Sequence, residues 1–187
     1  MTDKKRGRPK KDNTQLNSTV ILKSAKQLLL AENKIPSIRK IALELNIDPM
    51  SIYHYYPNKN SLLESITVSL MQEIYEPKKS DDWKKELELL CKSYLSLLSN
   101  YSGLLEIMLK MKSSGPAVEF TSRLQIVLSV LELNKIHFNS SLCLLVDYLH
   151  GVAFAIQCND DKQLTNNEID EPLKLIICVI ESCKNEF

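Results

Sequence analysis

Between Asn46 and Lys59 the chain reads NIDPMSIYHYYPNK, and how this stretch folds decides how the rest is read. Only 6% of the chain is aromatic, yet Tyr53, Tyr55 and Tyr56 fall within four positions, beside one of three histidines and between two prolines. Asp48 can cap a helix, and Pro49 suits its first position, where the missing N–H would have had no partner. Pro57 ends it after about two turns. On a wheel at about 100° per residue, Pro49, Ile52 and Tyr56 share one side. Met50, Ser51, Tyr53 and His54 spread over the other, with Tyr55 at the margin. A short helix over Pro49–Tyr56 is therefore expected, with Ile52 and Tyr56 in the core and Tyr53, His54 and Tyr55 facing outward.

Working outward, Ile38, Ile41, Ala42 and Leu45 make an apolar stripe in a helix of only about nine residues that stops at Asn46. Before it, Val20, Ile21, Ala25, Leu28 and Leu29 give a first helix from about Ser18 to Glu32, with Ser18 or Thr19 as its cap. After it, Asn58 caps a fourth helix with the stripe Leu62, Leu63, Ile66, Leu70 and Ile74, running to about Tyr75. Two short helices joined by a turn of three or four residues, the second with a polar face, form a helix-turn-helix that docks in the major groove of DNA. A phenol or imidazole on that face can donate to a phosphate oxygen while its ring rests on sugar or a thymine methyl. Packing of the aromatic cluster on neighbouring helices is the competing reading of the same residues.

Charge favours the first reading. The chain has a net charge of +1, but residues 1–60 hold twelve Lys and Arg against five Asp and Glu, and the remainder twelve against eighteen. A basic head on an acidic body implies a polyanionic partner for the head, of which nucleic acid is the commonest. An anionic membrane surface fits less well, because the head lacks a long amphipathic basic helix.

The segment EPKKSDD breaks the helical pattern, and beyond it Asp82–Asn100, Gly103–Met111, Pro116–Leu133, Ser140–Gln157 and Glu171–Lys184 all read as helices. The expected organisation is all-α: an arm at 1–17, a three-helix DNA-binding domain with its linking helix at 18–76, and a helical domain at 77–187. The run LCLLVDYLHGVAFAIQC is apolar almost all round but contains Asp147, His150 and Gln157, and a central Asp alone costs about 2.5–3.5 kcal/mol in lipid. A helix apolar on every side needs neighbours on every side, one of which can be a second copy of the chain. No membrane span is expected. The polar start carries no leader signature, which places the protein in the cytoplasm. Five cysteines without metal-type spacing read as small core hydrophobes, with Cys183, near a helix end beside Lys184, as the candidate for a reactive thiol. No hydrolase, phosphate-loop or zinc motif is present, so no catalytic role, cofactor or metal is expected.

The stretch PSIRKIALELNIDPMSIYHYYPNKNSLL resembles the DNA-binding domain of the TetR family of bacterial transcriptional regulators. Arg39, Ile41, Ala42, Leu45, Ile52, Tyr53, Tyr56, Lys59, Leu62 and Leu63 fall on the family pattern without a gap, over about the first third of the chain. The resemblance implies that Tyr53 and Lys59 hold phosphates and that Met50, Ser51, His54 and Tyr55 meet base edges or flanking sugars. It also implies that Arg39 reaches the groove from the second helix. Asn46 stands where the family usually has glycine, and Asn tolerates the left-handed backbone at modest cost. In the arm, Arg6, Gly7, Arg8 and Pro9 resemble an AT-hook whose arginines enter a narrow A·T minor groove, the alternative being a nonspecific electrostatic tail.

For the body, the resemblance implies a homodimer through the last two helices and an apolar cavity for a small effector. Leu173, Ile176, Ile177 and Ile180 give the last helix its stripe, and Gly151 in the preceding one permits close approach; a monomeric helical core is the alternative. Apolar surplus nominates Leu105, Met108, Met111, Phe120, Leu124, Tyr148 and Phe154 for the cavity. Asp147, His150 and Gln157 would orient a ligand or pair with one another. The expected function is a dimeric regulator, most simply a repressor, that binds a palindromic operator in double-stranded DNA and is released by a small molecule. The rival is an architectural A·T-rich DNA-binding protein with no effector.

Overall fold

The computed structural model describes residues 16–32, 34–101, 103–111, 114–158 and 166–185. Among them the chain forms nine α-helices and no strand. The head contains α1 (Ser18–Glu32), α2 (Ile38–Glu44), α3 (Pro49–Tyr53) and α4 (Lys59–Met71). The body contains α5 (Trp83–Asn100), α6 (Leu104–Lys110), α7 (Gly115–Leu128), α8 (Lys135–Cys158) and α9 (Asn166–Ser182).

Short polar side chains set the start of each head helix. The cap of α1 is Asn17, one residue before the two expected: its side-chain oxygen accepts from the Val20 N–H at 2.9 Å. Ser37 accepts from Lys40 at 3.2 Å to start α2, and Asp48 accepts from Met50 at 2.7 Å to start α3. Asn58 and Ser61 form a reciprocal capping box at the start of α4. Between α2 and α3, Asn46 takes a left-handed φ of 50° and the Ile47 N–H returns to the Ala42 carbonyl at 2.9 Å. Replacing Asn46 by valine should lower stability by about 1–2 kcal/mol in urea unfolding, whereas glycine should change it by only a few tenths.

The third helix closes at Tyr53, short of the expected Tyr56. The Tyr55 and Tyr56 N–H groups both turn back onto the Ile52 carbonyl, at 2.9 and 3.0 Å. That tight turn delivers Tyr56 to the interior, where it joins Ile21, Ala25, Leu29, Ile41, Ala42, Ile52, Leu62 and Ile66. Ile52 is 0% exposed, and burial of such a side chain stabilises by about 1.5–3 kcal/mol. Lys26 of α1 reaches Ser69 at 2.9 Å and pairs with Glu73, locking α1 to the far end of α4.

The fourth helix ends at Met71 rather than near Tyr75 and packs most extensively on α7. In the body, α7 gives way to a 3-10 turn at Ser129–Leu131 and stops at Glu132, which has a φ of 51°. Asn134 then caps the His137 N–H at 2.9 Å, so α8 begins at Lys135 rather than at Ser140. The last helix begins at Asn166 and runs through Pro172, where one ladder donor is missing.

Two expectations about the last two helices are corrected. Leu173, Ile176, Ile177 and Ile180 are buried in the chain's own core, so they are not the surface offered to a partner. The outward side of α9 instead carries Leu175 and Val179, 70% and 53% exposed, and α8 adds Leu144 and Phe154, 43% and 63% exposed. Of the cysteines only Cys91 is fully buried, and burial pushes its thiol up to about 12. Cys143, Cys158 and Cys178 are exposed, Cys143 at the mouth of the cavity described below. By length and composition α8 could cross a membrane, but it packs on α5, α7 and α9.

Candidate nucleic-acid interface and effector cavity

Ile52 and Tyr56 fasten α3 to the head, and burial raises the Tyr56 phenol, partly offset by a hydrogen bond with Ser65. On the other side Met50 is 63% and Tyr53 41% exposed, His54 is exposed and Ser51 half-buried. Arg39 on α2 and Lys59 on α4 are exposed beside them. Among the described residues, the Arg39 guanidinium, Tyr53 hydroxyl, His54 ring and Lys59 ammonium have no hydrogen bond or ion pair. Four donors are thus left for a partner. Lys59 opens α4, where the positive end of the helix dipole disfavours a cation by about 0.3–1 kcal/mol. A phosphate at that helix start turns the cost into attraction.

Tyr55 differs from its neighbours. It is 42% exposed, but its hydroxyl donates to the Leu16 carbonyl at 2.6 Å, so the chain enters the head beside α3. Arg6 and Arg8 lie outside the described residues.

The body holds a cavity of about 270 Å³ at the meeting point of α4, α5, α6, α7 and α8. Of the nominated residues, Met108, Phe120, Asp147 and His150 line it, with Met71, Tyr94, Pro116, Ala117, Thr121, Leu142, Cys143 and Val146. Leu105 and Leu124 are core residues behind it. Met111 faces a separate hollow of about 410 Å³ beside Ile35, Leu63 and Ile107. The Tyr148 hydroxyl donates to the Ile169 carbonyl at 3.0 Å and ties α8 to α9, Gln157 reaches the Leu98 carbonyl at 3.5 Å, and Phe154 is on the surface.

Tyr94 and Phe120 stack obliquely in the wall with centroids 4.9 Å apart. The Tyr94 hydroxyl lies 2.8 Å from His150 Nε2. Burial raises the phenol, and desolvation lowers the imidazole against an opposing pull from Asp147, so Tyr94 donates and neutral His150 accepts. The unfolded imidazole titrates near about 6.5 and the folded one lower, so acid protonates the unfolded chain first. The contribution of neutral His150 is full above about pH 6.5 and is lost as pH falls from there through the folded value. Between about pH 7 and about pH 5, His150→Gln should show a shallower fall in Tm than the wild type.

Arg123 on α7 joins this cavity to the head. Its guanidinium donates to the Met71 carbonyl at 3.0 Å and the Gln72 carbonyl at 3.2 Å, and pairs with Glu119 at 3.2 Å. It therefore holds the last carbonyls of α4, the helix that Lys59 begins about 18 Å away. The pattern Glu119-x-x-x-Arg123 reads in sequence as a solvated surface pair, and a tertiary bond across 52 positions leaves no local signal.

No family model and no curated protein matches the chain. Solved structures match it over nearly its whole length. BioQ with its natural double-stranded DNA operator is 16% identical at a TM-score of 0.72, covering 90% of this chain and 99% of that one. The TetR family protein ActR of Streptomyces coelicolor, in complex with (S)-DNPA, is 17% identical at a TM-score of 0.75, over 89% of this chain and 98% of that one. A TetR variant from Acinetobacter baumannii AYE, in complex with minocycline, is 18% identical at 0.66, over 91% and 95%. A likeness of this extent across an all-helical chain shows a shared fold: the fold of this chain is that of the TetR-family regulators.

Proposed function

We propose that the protein is a cytoplasmic transcriptional regulator of the TetR family, a repressor that binds a palindromic operator as a homodimer and leaves it when a small effector fills the body cavity. The observation that carries this reading is the unpartnered donor set of Arg39, Tyr53, His54 and Lys59 around a helix whose opposite side is buried. Arg6 and Arg8 would add contacts in the flanking minor groove. The operator in the BioQ structure and the small molecules in the ActR and TetR structures belong to those proteins, and they support the same pairing of DNA and effector here. Selection from random duplexes should return an inverted repeat with half-sites about 34–36 Å apart. Recovery of uniformly A·T-rich DNA without a repeat would favour the architectural alternative.

The outward faces of α8 and α9 supply the dimer surface: Leu144 and Phe154 from one helix, Leu175 and Val179 from the other, with exposed Gly151 leaving room for close approach. Phe154→Arg with Leu175→Arg should weaken self-association by at least about a hundredfold, because two unpaired charges are desolvated in each copy. Sedimentation equilibrium would read the change, and a wild-type chain that sediments as a monomer would refute this interface.

Release is expected to run along α4. Met71 lines the cavity and its carbonyl is held by Arg123, so a ligand that moves α7 or the Met71 side chain tilts α4 and with it Lys59 and α3. DNA and effector must then oppose each other by the same factor, typically about 1–3 kcal/mol.

A further inference from the structure

The cavity also carries information about what enters it. Met71, Met108 and Phe120 make its interior apolar, and the Tyr94 hydroxyl and His150 Nε2 satisfy each other at 2.8 Å. Among the described residues no Lys or Arg lines it, and Asp147 is the one carboxylate that does. Desolvation lowers the His150 imidazole, so among the described lining residues Asp147 is the one left to carry a charge. Asp147 is exposed, at the place where α8 turns from the cavity to the outer surface, and among the described residues it has no ion pair or hydrogen bond. An anion entering here meets a carboxylate that no described cation pairs with, and a neutral compound gains at most one hydrogen bond from it. A cation carried on an apolar ring gains at both ends: Coulomb attraction at the rim, and ring contact with the Tyr94–Phe120 wall inside.

We infer that the cavity takes a lipophilic cation, with a protonated amine against Asp147 at the rim and an aromatic or fused-ring body between Phe120 and the two methionines. This rests on the cavity being the effector site of the regulator proposed above. The test is calorimetry on the full-length protein near neutral pH with three probes that share one ring system: 1-naphthylmethylammonium, 1-naphthylmethanol and 1-naphthoate. The ammonium compound is expected to bind about tenfold tighter than the alcohol, with naphthoate weakest. Asp147→Asn should bring the ammonium compound to the level of the alcohol, and Asp147→Glu should keep the order. The inference is overturned if the alcohol or naphthoate binds as tightly as the ammonium compound, if the order survives Asp147→Asn, or if none of the three binds. A gel-shift assay run in parallel separates the two readings. Operator binding without the charge order refutes the cation alone, and a protein that keeps the charge order but binds no DNA refutes the regulator.

Discussion

Replacing Tyr53 and Lys59 together by alanine should weaken operator binding by about a thousandfold while leaving Tm within about 1–2 °C of the wild type. Neither side chain has a hydrogen-bond or ion-pair partner among the described residues, and both are exposed, so the fold loses little. The DNA complex loses much more. A hydrogen bond to a charged phosphate is worth about 1.5–3 kcal/mol for the lysine and somewhat less for the phenol, and a two-fold dimer makes each contact twice. The sum exceeds a thousandfold before the partial non-additivity of neighbouring contacts is allowed for. The salt dependence carries the sharper signature: removing one lysine–phosphate contact per protomer should flatten the log–log slope by about two. Fluorescence anisotropy over a range of salt concentrations measures both quantities. An unchanged slope would mean that Lys59 does not meet the backbone.

Arg123→Ala should uncouple the two ends of the molecule. Two charge-assisted bonds to the Met71 and Gln72 carbonyls disappear, together with the ion pair to Glu119. Arg123 is half-buried, so a loss of about 2–3 kcal/mol is expected, or about 5–10 °C in Tm for a chain of this size. The larger consequence is for regulation. In the wild type, a compound that releases the protein from DNA should change its affinity by about 5- to 150-fold. In Arg123→Ala that factor should fall towards one, with DNA binding and ligand binding each retained when measured alone. Arg123→Lys provides the discriminating control. It keeps the charge beside Glu119 but lacks the planar fork that spans two carbonyls, so it should remain uncoupled. A lysine variant with wild-type release would show that charge, not the double carbonyl clamp, carries the coupling.

The head was legible because its signals are local. Asp48, Pro49 and Asn58 mark helix starts within their own turns, Asn46 marks the left-handed turn, and the spacing of Ile52 and Tyr56 marks a buried edge. What the sequence misjudged there were the cap of α1 and the ends of α3 and α4; α3 stops early because the Tyr55 and Tyr56 N–H groups share the Ile52 carbonyl. The body was legible as helices but not as a site. The expected start at Glu171 misses the first turn of α9, which begins at Asn166 and runs through Pro172. Phe154 reads as an interior ring and is 63% exposed, since a helix apolar on all sides does not reveal which face meets its own chain and which a partner. Tyr94 and Arg123 act through partners more than fifty positions away, which helical spacing cannot encode.

Two copies of α3 should meet one side of a B-form duplex in successive major grooves. Hydroxyl-radical footprinting on the selected inverted repeat reads that arrangement. Protected patches are expected on each strand, repeating at about one helical turn and confined to one side of the duplex. Continuous protection along any A·T-rich duplex, or a single unrepeated patch, would contradict it.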